Sequence, residues 1–116
     1  MIQIKLADRS RCGRDDPMGR DWKGYDTTAP VEELFARNRG VWKLGPRADD
    51  ETHAMFAYTG DRTIKFVAEI DGLERFGDRR AIIGRVLAAE HPLSQRWVGR
   101  PLHGNYQNPI HYLPDD

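Results

Sequence analysis

The chain has 116 residues, 39% of them hydrophobic and 31% charged, which suits one domain with a real core and excludes a disordered composition. Its 18 basic and 18 acidic residues balance, so no overall field draws it to nucleic acid. No apolar run nears the roughly 20 residues of a membrane helix, and the alternating Met1–Leu6 is not a signal-peptide core; the expected location is the cytoplasm, with no membrane partner.

Ile2, Ile4 and Leu6 alternate with Gln3 and Lys5, the pattern of a half-buried first strand. Residues 8–27 follow as a long polar loop, rich in arginine, aspartate and glycine and without an apolar period. A loop of that length in a small domain is functional or disordered. Trp22 and Tyr25 near its end indicate that part of it docks. Thr28 is placed to cap a short helix with Pro30 in its first turn, and Val31, Leu34 and Phe35 form its apolar face. Gly40 ends it. Val41–Leu44 reads as a second strand and His53–Thr59 as a third. Ile64, Phe66, Ala68 and Ile70 alternate against Lys65, Val67 and Glu69 in a fourth strand, closed by a tight turn at Asp71-Gly72. Ala81–Ala88 is the fifth, with Gly84 marking a bulge or a close backbone approach. A loop or one helical turn carries Trp97, and residues 108–113 suit a short edge strand. The fold expected is a single domain over 1–116, mostly β with one or two short helices (α+β), arranged as a small antiparallel β-barrel.

The chemistry-bearing residues give few enzyme signals. No phosphate-binding glycine loop, nucleophile elbow or His-Glu-x-x-His helix is present in the sequence. One cysteine, Cys12, allows no internal disulfide and argues against structural zinc. It lies among Arg9, Arg11 and Arg14, a setting that activates thiols, but no histidine is placed by spacing as its base. The four histidines are scattered, and Asp15, Asp16 and the acidic run 49–51 read as solvated loops. No cofactor, metal or catalytic residue is expected.

Of the 18 basic residues only four are lysine, so arginine dominates, and arginine suits planar recognition of phosphates and base edges. Trp22, Tyr25 and Trp42 stand near Arg20, Arg37 and Arg39; Trp97 and Tyr106 stand near Arg96 and Arg100. Aromatic faces beside guanidinium groups hold unstacked bases and their phosphates. The ligand-binding set expected is therefore Trp22, Tyr25, Arg39, Trp42 and Arg20; Trp42, inside an apolar strand, is better suited to filling the core, and Trp22, in a polar loop, is the better ligand candidate.

The order of elements resembles PUA-like domains, the superfamily of PUA, ASCH and EVE modules. The residues that carry the likeness are Asn38–Leu44, the hairpin around Tyr58–Asp61, Lys65–Ile70 and Ile82–Leu87, within residues 28–113. The resemblance implies a pseudobarrel that binds RNA or a modified DNA base in a pocket between strands and a helix. The sequence reading is thus a non-catalytic module for RNA, a nucleotide or a modified DNA base. The alternative is a protein-interaction or regulatory domain: a small inhibitor, a toxin–antitoxin component or a phage-associated factor. Third is a small enzyme built on Asp15, Asp16 or a histidine.

Overall fold

The computed structural model describes residues 1–104 and 108–114. Among these residues seven strands and two α-helices follow in the order β1 (Ile2–Leu6), β2 (Ser10–Arg11), β3 (Trp22–Lys23), α1 (Val31–Asn38), β4 (His53–Tyr58), β5 (Thr63–Phe76), β6 (Arg79–Val86), α2 (Pro92–Trp97) and β7 (Ile110–Tyr112), with a 3-10 turn at Pro46–Asp50. β6, β5, β4, β1 and β7 form one sheet in that order, and β2 pairs with β3 beside it. The protein is a small α+β fold built mostly of strands.

The expected antiparallel barrel is not what these residues build. Among the described residues the sheet is open, with β6 and β7 at its edges. β1 also pairs parallel with β4, Ile2 opposite Ala54 and Leu6 opposite Tyr58. A parallel neighbour needs a long crossover, and residues 7–52, which carry β2, β3 and α1, supply it. The remaining pairs of the sheet are antiparallel.

Both faces of the sheet are covered. On one face Ile2, Ile4, Leu6, Phe56, Phe66 and Ile82 pack with Leu34 and Phe35 of α1 and with Trp22. Phe56 stacks on Phe66 at 4.7 Å between ring centroids and meets Phe35 edge-on at 5.9 Å; full burial of each such ring stabilises by about 1.5–3 kcal/mol. On the other face Met1, Met55, Ala57, Ile64 and Val67 pack with Trp97 of α2 and with Leu102 and Leu113. This explains why β1 is buried along its whole length rather than on one side. Gln3 tolerates burial because its side-chain amide donates to the His103 carbonyl at 2.9 Å and accepts from the His103 N–H at 2.8 Å.

Several local expectations change for physical reasons. Between Phe56/Phe66 and Ala57/Ile64 the β4–β5 register shifts, leaving Lys65 without an opposite residue. That bulge turns Ile64 to the second core although Phe66 and Ala68 face the first. Asp71-Gly72 is not a turn: β5 runs through it, with a second shift between Ile70 and Gly72. The hairpin closes instead at Gly77-Asp78, where Gly77 has φ 64°, the first-position geometry of a type II′ turn. At Gly84 the expected close approach is present, since a Cβ there would sit 1.8 Å from the Glu69 carbonyl oxygen. Thr28 does not cap α1. Its N–H and hydroxyl both donate to Asp26, and Pro30 occupies the cap position. Val41–Leu44 is irregular apart from one bridge, Trp42 to Arg80. The edge strand near the end forms, as β7 beside β1.

Candidate ligand-binding cleft

The segment expected to be a bare loop is tied to the body of the protein at three points. Its ends zip against neighbouring backbone: the Tyr25 N–H donates to the Ala7 carbonyl at 2.8 Å, and the Arg9 N–H to the Tyr25 carbonyl at 2.9 Å. Next to Tyr25, the buried Asn38 at the end of α1 holds Gly24 with both halves of its amide. Its Nδ2 donates to the Gly24 and Leu34 carbonyls at 2.9 Å each, and its Oδ1 accepts from the Gly24 N–H at 2.8 Å. Only glycine fits at position 24, which has φ 92° and lies where a Cβ would be 2.4 Å from the Asp8 carbonyl oxygen.

The third tie is an ionic knot. Asp16 accepts from the Arg20 backbone N–H at 2.9 Å, from Arg20 Nε at 3.0 Å and from Arg20 Nη2 at 2.8 Å. The other guanidinium nitrogen of Arg20 donates to the carbonyls of Arg37, at 3.0 Å, and of Gly40. Both side chains are more than nine-tenths buried. The Arg20 guanidinium, with the backbone N–H groups of Arg20 and Met18, holds the Asp16 carboxyl well below its ordinary 3.8, at about 2, against an opposing push from burial.

These ties leave a cleft between the 11–23 segment, the 38–42 segment and the tip of the β5–β6 hairpin. It has a volume of about 580 Å³ and is lined by Arg11, Cys12, Asp15, Asp16, Arg20, Lys23, Trp42 and Arg79, among others. Trp42 is half-buried, its indole N–H donating to the Asn38 carbonyl at 2.8 Å. Arg20 is committed to Asp16 and two carbonyls. Arg11, Lys23 and Arg79 are exposed and have no ion-pair partner among the described residues, while Arg80 next in sequence is taken up by Asp49 at 2.6 Å and the Gly45 carbonyl at 2.8 Å. With Asp15 as the one uncommitted acid of the wall, the cavity carries an excess of positive charge.

The five residues expected to bind ligand are not gathered in one place. Trp42 and Arg20 line the cleft. Trp22 is 5% exposed and belongs to the first core, with the guanidinium carbons of Arg9 and Arg37 at 4.1 and 5.2 Å from its ring. Tyr25 stacks on Tyr58 at 4.4 Å. Arg39 reaches Glu74 and the Ile82 carbonyl, both at 3.3 Å. In the other aromatic group, Trp97 packs into the second core and Tyr106 lies outside the described residues. Sequence reasoning did not single out Lys23 and Arg79 as cleft residues. Alternation was the available signal: each sits beside a side chain, Trp22 or Arg80, that the fold consumes.

His91 accepts from the Leu93 N–H at 3.1 Å as the cap of α2, and the His53 ring meets the Thr52 hydroxyl at 2.9 Å. Among the described residues no three His, Cys, Asp or Glu side chains are grouped to hold a metal ion, and no helix is long and apolar enough to cross a membrane. No family model, curated protein or solved structure matches this chain.

Proposed function

We propose that this protein is a non-catalytic binding module for a nucleotide or an unpaired nucleic-acid base, held in the cleft beside Trp42. The observation that carries the proposal is the half-buried indole of Trp42 in a cavity shared with three cations, Arg11, Lys23 and Arg79, that have no ion-pair partner among the described residues. An aromatic wall offers stacking to any base, and the cations suit phosphate oxygens. A net charge of zero is compatible with this, because the positive groups are concentrated locally. The ligand class is the one the likeness to PUA-like domains implies, RNA or a modified DNA base. Arg20 serves by fixing the wall, and Trp22, clasped by Arg9 and Arg37, by supporting the segment from beneath.

The test is titration of short single-stranded RNA and DNA at about 50 and 200 mM salt. Affinity should fall with salt, and the double variant Arg11→Ala/Arg79→Ala should flatten the log–log slope by about 1.4. Trp42→Leu, which keeps apolar bulk, should weaken binding by about 1–3 kcal/mol. No binding at low salt, or an unchanged slope in the correctly folded double variant, sinks the proposal.

A further inference from the structure

Beside the cationic cavity lies a second one, of about 450 Å³, and the two share Lys23, Asn38 and Trp42. Leu6, Ala7, Trp42 and Pro109 give the second cavity apolar walls, and Asp8 stands among them. One Asp8 carboxylate oxygen accepts from the Tyr58 hydroxyl. The other has no hydrogen-bond partner among the described residues. The carboxylate is held in place from several sides. The backbone on either side of Asp8 is hydrogen-bonded to Tyr25, Gly24 packs against its carbonyl, and Tyr58 is itself stacked on Tyr25.

We infer that the apolar cavity receives the ring of the ligand, and that Asp8 selects rings bearing an amino group. This rests on the nucleotide-binding reading and adds a direction and a specificity to it. Phosphate lies toward Arg11 and Arg79, the base lies past Trp42, and the free Asp8 oxygen faces its edge. An ionised carboxylate only accepts hydrogen bonds. An exocyclic amino group meets it with a donor. A carbonyl at the same place sets acceptor against acceptor; Asp8 is exposed, so the mismatch costs the charge-assisted hydrogen bond rather than burying an orphaned group. At C4 cytosine carries an amino group where uracil carries a carbonyl, and at N3 cytosine accepts where uracil donates, so a carboxylate set opposite C4 prefers cytosine.

The experiment titrates the full chain with CMP and UMP, and with short oligo-C and oligo-U strands. CMP should bind roughly tenfold more tightly than UMP. Asp8→Asn, which keeps an acceptor for Tyr58 but loses the charge and adds a donor, should bring the two within about twofold of each other. Tyr58→Phe removes the hydroxyl but leaves the carboxylate, so the preference for cytosine should persist. A cytosine preference seen only in strands identifies an unpaired base as the ligand and supports the inference; a preference already present for the free nucleotides supports it equally. Equal binding of C and U, or a preference that survives Asp8→Asn, overturns the role of Asp8 while leaving nucleotide binding intact. Failure of both nucleotides and both strands to bind overturns both readings.

Discussion

Asp16→Asn removes one charge from the knot that anchors the cleft wall and leaves the buried Arg20 guanidinium without its counterion. The carboxyl is held at about 2 against an ordinary 3.8. A folded pKa below the unfolded one stabilises the protein above the unfolded value, and the contribution is lost as pH falls toward 2. At 1.36 kcal/mol per unit and with an allowance for screening of a surface segment, the shift corresponds to about 1–2 kcal/mol. Asparagine still accepts from the Met18 and Arg20 N–H groups but cannot neutralise the guanidinium. The variant should therefore melt about 4–10 °C lower at neutral pH. The gap between variant and wild type should hold down to about pH 4 and close between about pH 4 and 2. Thermal melts of both proteins at several pH values, followed by far-UV circular dichroism, measure this directly. A gap below about 1 °C at neutral pH, or one that stays constant through the acid range, would refute the account of the knot.

Three further outcomes follow from the packing. Gly84→Ala places a methyl group 1.8 Å from the Glu69 carbonyl oxygen, and should cost about 3 kcal/mol in urea denaturation; a loss under 0.5 kcal/mol would show that the β5–β6 backbones separate freely. Asn38→Ala strands the buried N–H and carbonyl of Gly24, and should destabilise by about 2–3 kcal/mol while also weakening ligand binding; unchanged stability contradicts the role given to its amide. Cys12 lines the cationic cavity and is half-buried, so saturation with a bound nucleotide should slow its alkylation by iodoacetamide several-fold. An unaltered alkylation rate at saturation places the ligand elsewhere.

What the sequence made legible was local. Alternation located β1, β4 and the first half of β5, a nearly continuous apolar run located β6, a proline-tolerant end segment located the edge strand β7, and the apolar spacing of Val31, Leu34 and Phe35 located α1. Pairing partners were not legible, because a strand pattern does not encode its neighbour: Ile2-Gln3-Ile4 reads the same beside a parallel or an antiparallel strand. Burial of Gln3 and Lys5 depends on a second layer contributed by α2 and Leu113, far away in sequence. The bulge at Lys65 was hidden inside an unbroken alternation, since inserting one residue shifts the parity without changing the composition. In the cleft, aromatic–arginine grouping was legible and did pair Trp22 with arginines, but as a clasp over a core residue. Trp42 looked like strand and core, and its place on the cleft depends on how 8–27 folds back over α1.

The parallel pairing of β1 also has a consequence for how the chain reaches its fold. β4, β5 and β6 can zip in sequence as a meander of antiparallel neighbours. β1 cannot join by any local step, for Ile2 meets Ala54 on one side and Tyr112 on the other. Closing such distant contacts is entropically slow. The segment that walls the cleft hangs between β1 and β4, so it is anchored to the sheet at both ends only when β1 docks. Binding competence should thus appear with the last, slowest phase of refolding, after most of the sheet has formed, and a nascent chain with the meander complete would still be unable to hold ligand.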